Sequence, residues 1–260
     1  MKIRVFFAAL SVVALSIAAC SSTHKPGPSS TGPGSSSSGT SPDSAQPAPE
    51  DPLPARTPAE QRVEGLVIIG GVHGNEPSGA KLLPTLIEQG YVVFGPANPW
   101  GLENNSRYLE DGRDLNRSFS LEDCPEAVAV REFLEKNPPK LLIDMHEAPS
   151  GTHPYLIQFG PDDDLGARII EELKGEYDFD PKPSWGPIEG ADGLLKPTKG
   201  ALALQALSGI WSLGFYAWRT YDVTAFTVEV PGSWEMERKK AYHLKVVKTA
   251  ERLFAEGLAE

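Results

Sequence analysis

Cysteine is almost missing from this chain. Only Cys20 and Cys124 occur among 260 residues. With Cys20 committed elsewhere, Cys124 has no intrachain partner, and a disulfide framework is excluded. Positive charge is also scarce: 24 Lys and Arg stand against 35 Asp and Glu, for a net charge of −11. Nucleic-acid binders carry a basic face, so no nucleic-acid partner is expected. No apolar run beyond the first twenty residues approaches the ~20 residues that span a bilayer. No internal repeat is visible.

What is present begins with a leader. Lys2 and Arg4 form a basic start, an apolar run follows from Val5 to Ala19, and the small residues Ala18 and Ala19 precede Cys20. Residues 1–19 therefore read as a signal peptide. Ile17-Ala18-Ala19-Cys20 resembles a bacterial lipobox, in which the chain is cut before a cysteine that carries lipid. An ordinary signal peptide with an incidental cysteine is the alternative, but Cys20 falls where cleavage is expected. The expectation is an exported bacterial lipoprotein, lipidated at Cys20 and membrane-anchored in the cell envelope, on the periplasmic or outer face. Residues 20–60 then form the lipidated cysteine and a tether. Ser21 to Pro58 is mostly Ser, Pro, Gly and Thr, with too little apolar surface to offset its ordering entropy. Residues 61–260 remain for one domain with a proper core.

Within that domain, apolar runs alternate with helical patterns. Leu66–Val72, Tyr91–Phe94, Lys140–Met145, Tyr155–Phe159 and Ala225–Val230 read as strands. Helices are expected from Pro77 toward Gly90, over Pro125–Lys136, around Leu165–Leu173 and over Glu235–Leu258, with Pro84 expected to kink or shorten the first. This alternation predicts a single α/β domain with a mixed, mainly parallel central sheet and helices on both faces. Pro181–Thr220 reads as irregular, rich in Gly and Pro, with Trp185, Trp211, Tyr216 and Trp218.

In an open α/β sheet, ligands bind beyond the carboxyl ends of the strands. Three expected strands end in costly polar groups: His73-Gly74-Asn75-Glu76, Asp144-Met145-His146-Glu147, and Glu229 within Val228-Glu229-Val230-Pro231. Imidazole and carboxylate are both zinc ligands, and His73, Glu76 and His146 make a His₂Glu set. Three protein ligands with an open position are the pattern of a catalytic zinc site. A lone His-x-x-Glu is more often a solvated histidine with an acidic residue at a helix start. Gly70, Gly71 and Gly74 shift that balance, because they let the backbone turn tightly and approach a ligand. Arg107, Asn116 and Arg117 point to an anionic substrate, although composition alone fits a surface loop with ordinary salt bridges. Asp144 either orients His146 or anchors a loop. His153 reads as an exposed loop residue, and neither His24 nor His243 is a ligand candidate.

Taken together, His73-Gly74-Asn75-Glu76, Asn98-Pro99, Arg107, Asp114-Leu115-Asn116-Arg117, His146 and Glu229 have the order and approximate spacing of the zinc carboxypeptidase superfamily. The chain resembles its succinylglutamate desuccinylase and aspartoacylase branch, which includes murein peptide amidase-like enzymes. The resemblance spans roughly Leu66 to Pro231. It implies a zinc carboxypeptidase-like catalytic domain over residues 61–260 and one Zn²⁺ held by His73, Glu76 and His146. It further implies Glu229 as the general base that activates water, Arg107 as the oxyanion stabiliser, and Asn116 and Arg117, with Asn98, as substrate-binding residues. Tyr216 and Tyr221 both lie where the family carries a mobile tyrosine, and the resemblance does not choose between them.

The expected activity is hydrolysis of an amide bond near a free carboxylate, by a metallocarboxypeptidase or peptide amidase acting on cell-envelope peptides. The alternative is an N-acyl amino acid deacylase. A non-catalytic binding lipoprotein is a third reading, but it would be expected to lack Glu229 or a ligand.

Overall fold

Five consecutive buried residues, Leu66–Gly70, form strand β1, with no solvent-facing side chain anywhere along it. Such runs belong to sheets covered on both faces. The structure is a computed structural model, and it describes residues 62–161 and 164–259. The signal peptide, the tether, Cys20 and His24 lie outside the described residues.

After β1 come helix α1 (Pro77–Glu88), strand β2 (Val92–Phe94), helix α2 (Pro99–Asn104), a 3-10 turn at Leu115–Arg117, and helix α3 (Pro125–Lys136). Strands β3 (Leu141–Ala148) and β4 (Tyr155–Phe159) follow, then helix α4 (Leu165–Leu173). Three two-residue strands come next: β5 (Ser184–Trp185), β6 (Ile188–Glu189) and β7 (Leu194–Leu195). Helices α5 (Lys199–Ser208) and α6 (Leu213–Tyr221), strand β8 (Thr224–Pro231) and helix α7 (Met236–Ala259) complete the domain.

The central sheet has the order β2-β1-β3-β8-β4-β7. The first four strands run parallel, β4 is antiparallel to β8, and β7 is parallel to β4. This is the mixed, mainly parallel sheet that the alternation predicts. Side chains alternate between faces. Ile68, Ile143, Met145 and Val228 pack with α1, α4 and α7, whereas Val67, Ile69, Leu142 and Ala225 pack with α3 and α6. Each large side chain so enclosed contributes roughly 1.5–3 kcal/mol, so the sheet is a rigid base for the groups at its ends.

Two expectations change. Helix α1 runs through Pro84 to Glu88. Pro84 lies on the exposed side and does not end the helix, while Leu82, Leu83 and Leu86 are buried on the sheet side. The span read as irregular contains α5, α6 and the short strands. Among the described residues, no helix is long and apolar enough to cross a membrane.

Candidate metal centre and active-site cleft

The parallel strands deliver their polar groups to one end of the sheet. His73 lies in the turn after β1, Glu76 is the N-cap residue of α1, and His146 is on β3. Gly71 has φ +74°, and a Cβ on Gly74 would lie 1.8 Å from the Gly101 carbonyl carbon. The glycines thus let this turn pack on the backbone of α2.

All three side chains are buried, and they offer donor atoms within 4.8 Å of one another. Nδ1 of His73 is 2.9 Å from Glu76 Oε1, and Nδ1 of His146 is 2.8 Å from Glu76 Oε2. The opposite nitrogens are held by carboxylates: His73 Nε2 by Asp114 at 3.0 Å, and His146 Nε2 by Asp144 at 2.8 Å. An Nε2–H given to a carboxylate fixes the tautomer and turns the Nδ1 lone pair inward, as a metal-binding histidine requires. Asp144 is fully buried, so it orients His146; it does not anchor a loop.

The electrostatics have the same sense. Burial works against charging His146, yet Asp144 and Glu76 outweigh it and raise its pKa well above the imidazole range. Burial would raise Glu76 and Asp114, but the adjacent histidines, with Arg107 and Arg117 near Asp114, hold both well below the usual carboxylate range. The carboxylates thus favour positive charge at the centre of the cluster, which is the field a divalent cation needs. Ligand type, count and outer partners all fit a metal ion.

Glu229 stands directly opposite His146 in the β3–β8 register and lines the same cleft, a cavity of about 220 Å³. Burial, together with the charge of Glu76, pushes it up to about 7 against the pull of His146 and His73. Tyr155 faces Glu229 across the β4–β8 pairing. Burial, then Glu229, raises the phenol further, so it remains a donor.

Arg107 reaches Glu76 Oε1 at 3.2 Å and Asp114 Oδ2 at 3.1 Å, with its guanidinium at the cleft wall. Arg117 lies 5.7 Å above the Trp185 ring centroid and donates to the Asn116 carbonyl. Burial lowers its pKa, Asp114 offsets part of that, and Arg107 adds a smaller like-charge repulsion. An anion between the two arginines would relieve that repulsion. Asn116 Oδ1 accepts from Leu213 N at the start of α6, which leaves its amide N–H groups as its offer to the cleft. Phe159, Ile157 and Trp185 form the apolar wall.

Other expected residues lie elsewhere. Asn98 is fully buried, accepts from Gly101 N as the N-cap of α2, and donates to Tyr108 O. It holds the segment that carries Arg107 and does not line the cleft. Tyr216 and Tyr221 pack against each other on the α3/α6 side, 6.3 Å between centroids, and neither lines the cleft; Tyr155 does. Tyr155 was readable from alternation, since Tyr155, Ile157 and Phe159 share one face of β4. Asp114 stands within the Asp114-Leu115-Asn116-Arg117 motif, but its bond to His73 spans 41 residues and leaves no local signal. His153 is at the surface beside Asp178.

The family profile of the succinylglutamate desuccinylase/aspartoacylase catalytic domain matches residues 62–184. An N-acyl-aromatic-L-amino acid amidohydrolase (carboxylate-forming) of Xenopus tropicalis is 33% identical over 122 residues, 38% of this chain and 39% of the relative. The match thus spans well under half of that relative's length. Among solved structures, a metallo-carboxypeptidase from Pseudomonas aeruginosa, in complex with (2-guanidinoethylmercapto)succinic acid, has a TM-score of 0.54 at 21% identity, covering 74% of this chain and 57% of the other. The cell shape determinant protein Csd4 of Helicobacter pylori has a TM-score of 0.55 at 18% identity, covering 72% and 49%. At those identities the likeness is one of fold. Matched segment and fold agree: residues 62–184 are similar to the succinylglutamate desuccinylase/aspartoacylase catalytic domain, and the chain shares the fold of the solved metallo-carboxypeptidases.

Proposed function

We propose that the chain is a zinc-dependent hydrolase that cleaves an amide bond close to a free carboxylate. The observation that carries this is the single cleft in which a His/Glu/His set, the Glu229 carboxylate and two guanidinium groups converge. His73, Glu76 and His146 would hold one Zn²⁺, which supplies Lewis acidity to polarise the scissile carbonyl and acidify a water. Glu229 takes the proton of the attacking water and passes it to the leaving nitrogen. Arg107 stabilises the oxyanion as charge develops. Arg117 and Asn116 hold the substrate carboxylate, and Tyr155 offers its phenol at the reacting end.

Within that class, we favour peptides of the cell envelope, cleaved by a metallocarboxypeptidase or peptide amidase. The leader and Cys20 support export and a lipid anchor, and a desuccinylase for small cytosolic metabolites has no evident work there. A Cys20→Ser chain that still fractionated with membranes at mature size would contradict the anchor. A second reading, deacylation of N-acyl amino acids, is supported by the amidohydrolase relative and by the aromatic wall of Phe159 and Trp185. Hydrolysis of peptides, muropeptides and N-acyl amino acids, compared side by side, separates the two.

Carboxylate recognition gives a sharper test. A charge-assisted contact of this kind contributes roughly 1.5–3 kcal/mol. Amidating the substrate's free carboxylate is expected to lower kcat/KM at least ~10-fold, the factor that about 1.4 kcal/mol implies. Arg117→Ala should lower activity on the free acid and have much less effect on the amidated compound. Equal activity on both forms would make an endopeptidase or general amidase the better reading.

A further inference from the structure

The proposed chemistry leaves one buried ion pair unused. Glu147 follows His146 on β3, so its side chain points to the opposite face, toward α1 and α7. Its Oε2 lies 2.6 Å from Lys239 Nζ on α7, and the two side chains are 4% and 8% exposed. Such a pair is costly to desolvate and is weak evidence for added stability.

Its geometry indicates another use. Glu147 Oε1 accepts from Ser78 N at 2.7 Å. Ser78 is the second residue of α1, and the first backbone donors of a helix have no partner inside it. An N-cap side chain normally meets such a donor. The N-cap here is Glu76, which makes no side-chain cap bond, because its oxygens face His73 and His146. Pro77 brings no N–H, so Ser78 N is the first donor left waiting, and Glu147 supplies its acceptor. The backbone N–H of Glu147 also donates to Glu76 Oε2 at 3.1 Å. Residue 147 therefore touches both the Glu76 carboxylate and the helix turn behind it. Four residues after Lys239, on the same side of α7, buried His243 adds a tie: its Nε2 is 3.2 Å from Ser78 Oγ.

We propose that Glu147 is a positioning residue for Glu76: it caps α1 in Glu76's place, freeing that carboxylate for the metal, while Lys239 supplies the counter-charge that lets Glu147 stay buried. This rests on the metal-site reading above. Capping its own helix would draw the Glu76 carboxylate off the histidines. With Glu147 as acceptor, the two demands no longer compete.

The test compares two double variants of the full chain, both without the buried charges. Glu147→Gln with Lys239→Met keeps an acceptor for Ser78 N, whereas Glu147→Leu with Lys239→Met fills similar space without one. Zinc affinity is measured by competition with a chelator, and the melting temperature is measured without metal. The Gln variant is expected to stay within about threefold of the unaltered chain, and the Leu variant to bind zinc roughly tenfold or more weakly, as for loss of an outer-shell partner. Equal zinc affinity in the two variants, with the unaltered chain binding normally, overturns the positioning role, whatever the melting temperatures do. If the Leu variant does not fold, Glu147→Ala with Lys239→Met takes its place under the same criterion. An unaltered chain that binds no zinc overturns the metal-site reading itself.

Discussion

Glu229→Gln is expected to leave the fold and the zinc content intact and to lower kcat by ~10²-fold or more, the size of a lost proton transfer. The substitution is isosteric, and Glu229 is not one of the three clustered donors. It stands opposite His146 on the neighbouring strand and lines the cleft, beside the residues that would hold the metal. Only the ionised carboxylate can accept a proton. Burial pushes Glu229 up to about 7, and a dication at the cluster draws it back down. The acid limb of kcat/KM in the loaded enzyme should therefore fall below about 7, with activity rising as pH rises through it. That limb should vanish from the residual activity of the Gln variant. Near-normal kcat in Glu229→Gln would remove the proposed base. Glu147 cannot take over, since its oxygens already serve Ser78 N and Lys239.

Arg107→Ala is expected to lower kcat/KM by roughly 10²–10³, the usual loss when one oxyanion donor is removed. Arg107 is placed for this work by Glu76 and Asp114, and the segment that carries it is fixed by Asn98 through Tyr108 O. Its partner is the developing oxyanion and not the substrate's terminal carboxylate. Free-acid and amidated substrates should therefore suffer alike, unlike the split expected for Arg117→Ala. Zinc should be retained, because the variant removes a positive charge from beside Glu76 and leaves the three donors in place. A defect confined to the free acid would move Arg107 into carboxylate binding.

Much of this architecture is legible from the residues. Strand β4 and helices α3 and α4 begin and end where periodicity and the Pro125 start place them. The chemistry-bearing ends of β1, β3 and β8 stand out because buried strands do not carry His and Glu without cause. Helices α5 and α6 were hidden for a physical reason. Helix α5 buries no residue and leaves Leu204 and Leu207 exposed, so its apolar residues mark no core-facing side, and its caps, Thr198 and Gly209, are scattered among other Gly and Pro residues. Asn98-Pro99 sits among the substrate motifs in the sequence, yet Asn before Pro is equally a helix start, and Asn98 caps α2. The pairings of Asp114 with His73 and of Lys239 with Glu147 link residues 41 and 92 positions apart, beyond the reach of any local pattern.

We propose that His73, Glu76 and His146 hold one catalytic zinc. Metal analysis of the purified chain beside His146→Ala decides this. The prediction is about one zinc per unaltered chain and strong loss of zinc and hydrolysis in the variant, with its secondary structure unchanged. Full zinc retention by His146→Ala at unchanged stability would contradict the assignment.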